Sequence, residues 1–140
     1  MMPSLPVVLF AYGTLRPAAA SAASWPLVER LTCLGPATMS GRLYDLGGYP
    51  GMVAGGGTVH GDLLVVRQAA ELAALDAYEE CGGPQPLFRR TPAQAVRSDG
   101  VIEDVWVYLY ARPVGNAPPI PDGIFRPAGG RSPPLPTPEG

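Results

Sequence analysis

The chain contains no lysine: all 10 of its basic residues are arginine. That excludes a lysine Schiff base, a pyridoxal-phosphate lysine and a P-loop lysine. The arginine-for-lysine usage reads as the codon bias of a GC-rich genome and calls for no functional explanation. Histidine occurs once, as His60, which excludes a multi-histidine metal site. Any Ser-His-Asp or Cys-His arrangement would have to use it. His60 falls in Thr58-Val59-His60-Gly61, within a predicted strand, where a histidine more often packs or hydrogen-bonds than catalyses. Cys33 and Cys81 are the only thiols and are too far apart in sequence for a zinc motif. They could form one disulfide, but nothing in the sequence indicates secretion, and free, semi-buried thiols are expected.

Charge is scarce as well. Charged residues make up 16% of the 140, the net charge is -2, and only Arg89 and Arg90 are adjacent basic residues, which argues against a nucleic-acid footprint. No apolar run approaches the ~20 residues that span a bilayer. Met1-Met2-Pro3-Ser4 carries no basic residue before the first apolar run, and no cleavage-like site follows it. Leu5 to Phe10 therefore reads as a strand and not as a signal peptide, and the expected compartment is the cytoplasm. By elimination, acid–base chemistry in this chain falls to a carboxylate or a tyrosine.

What is present begins with Ala11-Tyr12-Gly13-Thr14-Leu15-Arg16, directly after the apolar run Val7-Val8-Leu9-Phe10. An apolar run that stops in a Gly-Thr turn reads as a buried strand ending at a loop that exposes backbone. Successive unpaired N–H groups there can cradle a carboxylate or a polarised carbonyl oxygen. An ordinary strand-to-helix turn would carry the same residues, and the loop alone does not decide between the two.

Further along, Ser24 suits the N-cap of a short helix with Trp25 and Pro26 in its first turn. Ala37 to Leu46 and Thr58 to Val66 read as strands separated by a Gly47-Gly48-Tyr49-Pro50-Gly51 turn. A helix is predicted from Gln68 to Glu79. Leu87 to Val96 and Val101 to Tyr110 form a predicted hairpin through Ser98-Asp99-Gly100. In its second strand Val105, Val107 and Leu109 face one way and Trp106, Tyr108 and Tyr110 the other. A strand apolar on both faces has to be covered on both, as in a small closed barrel with helices outside. The predicted fold class is α+β, a small barrel-like mixed sheet with two main helices, over residues 1–126. Residues 127–140 read as a proline-rich, disordered tail. Its Pro133-Pro134-Leu135-Pro136 fits either a polyproline ligand or a solvated terminus.

The helix carries the carboxylate of interest. Leu72, Leu75 and Glu79 fall on one face, so the leucines that seek the core take Glu79 with them; Glu80, rotated by about 100°, points to solvent. Cys81-Gly82-Gly83-Pro84 ends the helix just beyond Glu79. Burial and the negative end of the helix dipole both favour the neutral acid, raising the Glu79 pKa from about 4.3 toward neutrality. A general base that later acts as an acid needs that property. A glutamate at a frayed helix end, paired with an arginine such as Arg89, is the alternative.

Taken together, Tyr12-Gly13-Thr14-Leu15-Arg16 and Leu75-Asp76-Ala77-Tyr78-Glu79 resemble the γ-glutamylcyclotransferase superfamily, and within it the small γ-glutamylamine cyclotransferase-like branch. Collinear matches continue through Gly41-Arg42-Leu43-Tyr44-Asp45-Leu46-Gly47, Tyr49-Pro50, Gly61-Asp62-Leu63, Phe88-Arg89-Arg90, Val105-Trp106-Val107-Tyr108 and Ile120-Pro121-Asp122-Gly123. The resemblance implies a cyclotransferase or lyase that converts a γ-glutamyl amine or γ-glutamyl peptide to 5-oxoproline and a free amine. It implies no metal and no organic cofactor. By the same resemblance Glu79 is the general acid/base; Tyr12, Gly13, Thr14 and Leu15 hold the γ-glutamyl moiety; Tyr108 lines the cavity. The implied partner is a small-molecule γ-glutamyl substrate, with neither nucleic acid nor membrane. A non-catalytic small-molecule-binding or regulatory protein that keeps the fold is the alternative. Two positions depart from the family pattern: Glu80 stands where glycine is usual, and Phe88 where tyrosine is frequent.

Overall fold

Every strand of the sheet has a hydrogen-bonded neighbour on both sides. The computed structural model describes residues 3–126. Its five strands are β1 (Val7–Ala11), β2 (Thr32–Asp45), β3 (Pro50–Val66), β4 (Phe88–Arg97) and β5 (Ile102–Tyr110). They close in the order β1-β3-β2-β4-β5. All pairs are antiparallel except the closing one, where β1 and β5 run parallel through Leu9 opposite Trp106 and Phe10 opposite Val107. Closure leaves no open sheet edge. Two helices, α1 (Trp25–Val28) and α2 (Ala69–Tyr78), lie outside the barrel, together with a single 3-10 turn at Pro17–Ala19. No helix among the described residues is long and apolar enough to cross a membrane. The proline-rich residues 127–140 lie outside the described residues.

Alternation along the strands separates two apolar layers. Phe10, Leu63, Met39, Val105 and Val107 belong to a cluster fed by all five strands and no helix, which is the barrel interior. Leu9, Leu64, Val66, Phe88 and Tyr108 face the other way and pack with Leu72 and Leu75 of α2 and Val28 of α1. The expected two-sided burial of β5 follows from this: Val107 faces the interior and Tyr108 the helix layer, 0% and 3% exposed. Each such side chain contributes ~1.5–3 kcal/mol by leaving water. Phe125 joins the interior cluster from the segment after β5. That segment is held across β2 and β3 by bonds from Ile120 N–H to the Leu43 carbonyl and from His60 N–H to the Gly123 carbonyl.

Strands β2 and β3 are longer than the sequence suggests, starting at Thr32 and Pro50 rather than Ala37 and Thr58. Glycines that read as strand breakers are absorbed as irregularities. Between the pairs Ser40–Thr58 and Arg42–Val53, one residue of β2 faces four of β3, including Gly55, Gly56 and Gly57. The turn itself is confined to Leu46–Tyr49. Asp45 Oδ1 accepts the N–H groups of Gly47 and Gly48, whose φ values of 103° and 98° suit glycine. Cys33, expected semi-buried, is exposed at the start of β2, where its neighbours face solvent; Cys81 is half-buried. Both thiols are free.

Candidate active site

The loop after β1 is fixed from three sides. Arg16 N–H bonds the Gly13 carbonyl at 2.9 Å, closing a turn over Gly13–Arg16. The Arg16 guanidinium pairs with Asp62 of β3 at 3.0 Å. Gly13 lies so close to Pro50 that a Cβ would stand 2.7 Å from the proline ring, so only glycine fits without displacement. Ser24, expected to cap α1, does something else. Its own backbone is helical, and its buried hydroxyl donates to the Thr14 carbonyl at 2.7 Å while accepting Ser21 N–H at 2.8 Å. A polar group at 0% exposure needs such partners, and here they brace the loop from behind. Among the described residues, the N–H groups of Gly13, Thr14 and Leu15 donate no hydrogen bond within the protein, and runs of such unpaired amides are the kind that can cradle an oxygen.

Helix α2 delivers Glu79 to the same place. Leu72 and Leu75 are buried, Glu79 is half-buried and Glu80 is exposed, as their spacing predicts. Glu79 follows the last helical residue and bonds through its N–H to the Leu75 carbonyl. Burial pushes its carboxyl up to about 7 from an ordinary 4.5. The C-terminal end of the helix dipole acts in the same direction. Among the described residues, no arginine comes within ion-pair distance of Glu79. Arg89 is exposed, and Arg90 forms a two-point bond with Asp76 at 2.9 and 3.0 Å. The helix closes as a Schellman motif: Glu80 N–H meets the Ala77 carbonyl, Cys81 N–H meets the Asp76 carbonyl, and Glu80 has a φ of 51°.

Loop and helix share one cavity of about 420 Å³. Tyr12, Gly13, Thr14, Leu15, Glu79 and Tyr108 all line it, so the six residues singled out in the sequence are brought together. Two of them act differently from a free ligand-binding hydroxyl. Tyr12 donates its hydroxyl to the Tyr108 carbonyl at 2.6 Å and accepts Met52 N–H at 3.2 Å; what it offers the cavity is its ring. Tyr108 donates to Asp76 Oδ1 at 2.7 Å. Burial first, and then neighbouring carboxylates, hold both phenols above their usual range. Phe88, where a tyrosine hydroxyl would be frequent, fills the wall with its ring edge against Tyr110, 5.5 Å between centroids.

The network behind Tyr108 escapes sequence reasoning. Asp76, Arg90 and Tyr108 join α2 to the β4–β5 hairpin, with the Arg90 guanidinium over the Trp106 ring at 5.3 Å. The pairing of Asp76 with Arg90 depends on how the hairpin packs, and no local pattern reveals it. Tyr78 was within reach, because it sits three residues after Leu75 on the buried side; its hydroxyl lies 2.8 Å from Thr14 Oγ1. Tyr49 reaches the cavity from the β2–β3 turn and Pro50 from the first position of β3. His60 pairs opposite Thr38 in β3 and does not line it.

Comparison with known proteins places the chain in a family and supports its fold. The family model described as gamma-glutamyl cyclotransferase, AIG2-like, matches residues 9–127. The gamma-glutamylcyclotransferase family protein YtfP of Escherichia coli is 35% identical over 116 residues, covering 82% of this chain and 92% of that protein. The solution NMR structure of the E. coli protein ytfP superposes with a TM-score of 0.61 at 34% identity, covering 84% of this chain and 95% of that one. YkqA from Bacillus subtilis shares the fold, with a TM-score of 0.67 at 20% identity; the match covers 86% of this chain and spans 40% of YkqA. An AIG2-like protein from Mus musculus shares it too, with a TM-score of 0.62 at 21% identity, covering 77% of this chain and 79% of that one. By the family model and by its likeness to YtfP, the chain belongs to the gamma-glutamyl cyclotransferase, AIG2-like family.

Proposed function

We propose that the protein converts a γ-glutamyl amine or γ-glutamyl peptide to 5-oxoproline and a free amine. The observation that carries this reading is Glu79: a half-buried carboxyl with no arginine partner among the described residues and a pKa of about 7, on the cavity that the Gly13–Leu15 backbone also lines.

In this reaction the substrate's α-amine attacks its own γ-carbonyl carbon. A cavity of about 420 Å³ suits a folded γ-glutamyl amide. Holding the amine against the carbonyl is worth ~7–11 kcal/mol of the barrier, because the two reacting groups belong to one molecule and need only be oriented. The Glu79 carboxylate takes a proton from the α-ammonium, and the amine nitrogen forms the new C–N bond. Charge gathers on the carbonyl oxygen, where the Gly13, Thr14 and Leu15 N–H groups can meet it. Glu79, now an acid, returns its proton to the leaving nitrogen as the old C–N bond breaks. The lactam nitrogen keeps one of the three ammonium hydrogens; the other two end on the released amine, one of them through Glu79. A pKa near the working pH makes both transfers accessible to one group.

Tyr12 and Tyr108 supply rings that shape the γ-glutamyl pocket, and Leu15 packs beneath the turn. The partner is a small γ-glutamyl molecule; the net charge of -2 and the scattered arginines point away from nucleic acid. The test is 5-oxoproline release from a panel of γ-glutamyl amines and dipeptides. Product from at least one of them is expected. No product from any compound in the panel would leave a non-catalytic binding protein as the reading.

A further inference from the structure

The cavity offers an anionic ligand no cation. Among the described residues its lining includes no arginine, lysine or histidine. A γ-glutamyl group nevertheless carries an α-carboxylate, on the same carbon as the ammonium that Glu79 serves in the proposed reaction. Two acidic groups are thereby brought close together, and taking the substrate's carboxylate out of water requires hydrogen-bond donors. In that reaction the Gly13–Leu15 amides meet the carbonyl oxygen, at the far end of the γ-glutamyl chain. The carboxylate has to find its donor elsewhere.

Most hydroxyls on the lining are already engaged. Tyr12 gives its hydrogen to the Tyr108 carbonyl, and Tyr108 gives its own to Asp76. Ser21 Oγ lies 3.2 Å from Ser24 Oγ, whose hydrogen goes to the Thr14 carbonyl, so Ser21 is the donor in that contact. The Thr14 and Tyr78 hydroxyls share one bond and leave one hydrogen between them. Tyr49 lines the same cavity, and among the described residues its hydroxyl has no partner at all. At 37% exposure it stands where the cavity meets solvent. Its backbone is anchored: Leu46 N–H bonds the Tyr49 carbonyl at 2.8 Å, and Asp45 holds the N–H groups of Gly47 and Gly48 before it. Pro50, the next residue, packs against Gly13, which ties the turn to the amide cradle. A donor presented from such a fixed turn needs little ordering when a ligand arrives.

We infer that Tyr49 is the binding residue for the substrate's α-carboxylate: its hydroxyl donates to that group from the β2–β3 turn, while Glu79 attends the neighbouring amine from α2. The pocket then distinguishes a γ-glutamyl group from a 4-aminobutanoyl group, which has the same amine, chain and amide carbonyl but no carboxylate. This inference rests on the cyclotransferase reading of the cavity and adds to it the residue that recognises the acid end of the substrate.

Two lactams isolate the contact: 5-oxoproline, which keeps the α-carboxylate, and 2-pyrrolidinone, the same ring without it. Calorimetry on the wild type and on Tyr49→Phe, which keeps the ring and removes the hydroxyl, supplies the comparison. Tyr49→Phe should bind 5-oxoproline about 10-fold more weakly, the lower end for a hydrogen bond to a charged group. The two proteins should bind 2-pyrrolidinone alike. Turnover should split the same way. KM for a γ-glutamyl amide should rise about 10-fold in Tyr49→Phe with kcat little changed, because the bond is present before and during the chemical step. Kinetics on the 4-aminobutanoyl amide of the same amine should be the same in both proteins. Unchanged affinity for 5-oxoproline refutes the inference and hands the carboxylate to the Gly13–Leu15 amides. An equal loss for both lactams also refutes it and leaves Tyr49 as a wall of the pocket, and so does a wild type that binds no 5-oxoproline. Release of 5-oxoproline by the wild type judges the cyclotransferase reading separately, so that reading survives any of these results if release is seen.

Discussion

The Thr14 hydroxyl lies 2.8 Å from the Tyr78 hydroxyl. This one hydrogen bond joins the turn after β1 to the last residue of α2, one position before Glu79. Among the described residues it is the side-chain hydrogen bond that links the two halves of the proposed machinery, the amide cradle and the acid/base. Tyr78→Phe keeps the ring and removes the link. Stability should fall by about 1 kcal/mol, the net worth of one such bond, while kcat falls more than KM rises, because the loss is one of alignment. Denaturant melts and steady-state kinetics on the same preparation check this; unchanged kcat would show that the turn holds its place without Tyr78.

The raised pKa of Glu79 has a consequence for stability. Its folded-state value of about 7 exceeds the ordinary 4.5, so the folded protein binds this proton more tightly than the unfolded chain. Between those two values the unfolded state is the less protonated one, and stability falls as pH rises. The shift corresponds to roughly 3 kcal/mol of destabilisation, fully expressed above pH 7 and absent below the unfolded value. Glu79→Gln should therefore be more stable than the wild type at pH 8, with the gap closing toward pH 4. Denaturation midpoints across that range measure it; equal midpoints at pH 8 would place Glu79 in a more solvated setting.

At Glu80 the backbone disagrees with the residue. The Schellman motif demands a left-handed conformation there, and an L-residue with a side chain adopts it at a cost of ~1–2 kcal/mol. Glu80→Gly removes that strain but loosens the unfolded chain, so a net gain of about 0.5–1 kcal/mol is expected. A higher denaturation midpoint is the readout, and a lower one would mean that Glu80 makes a stabilising contact.

The Asp76 carboxylate holds Arg90 by two bonds and Tyr108 by a third. Asp76→Ala leaves a largely buried guanidinium and a buried phenol without their acceptor. A loss of about 3 kcal/mol is expected, as for other buried pairs broken on one side. Asp76→Asn, which keeps an acceptor, should recover part of it. Urea denaturation of both variants supplies the comparison; a mild effect of the alanine would show that Arg90 and Tyr108 find water instead.

Much of this was legible in the residues themselves. The two apolar faces of Val105 to Tyr110 announced a closed sheet, because only a strand covered on both sides tolerates them. The spacing of Leu72, Leu75 and Glu79 separated an inward glutamate from its outward neighbour. What stayed hidden depends on long-range packing. Ser24 looked like a helix cap because its neighbours suit one, yet its hydroxyl serves a loop 10 residues away. Strand β3 extends back through Gly55, Gly56 and Gly57 because a bulge absorbs residues that local propensity counts as breakers. Asp76 found its partners only once the β4–β5 hairpin was folded against α2.

The central claim is that Glu79 moves the proton. Its most direct test is the rate of 5-oxoproline formation by Glu79→Gln on the best γ-glutamyl substrate of the wild type, with folding verified by circular dichroism. The account predicts a folded variant whose kcat drops by ~100-fold or more, the scale of a lost general base. The wild-type kcat/KM should rise on a limb centred near pH 7, the value held by Glu79. A folded Glu79→Gln protein with wild-type turnover would contradict the account.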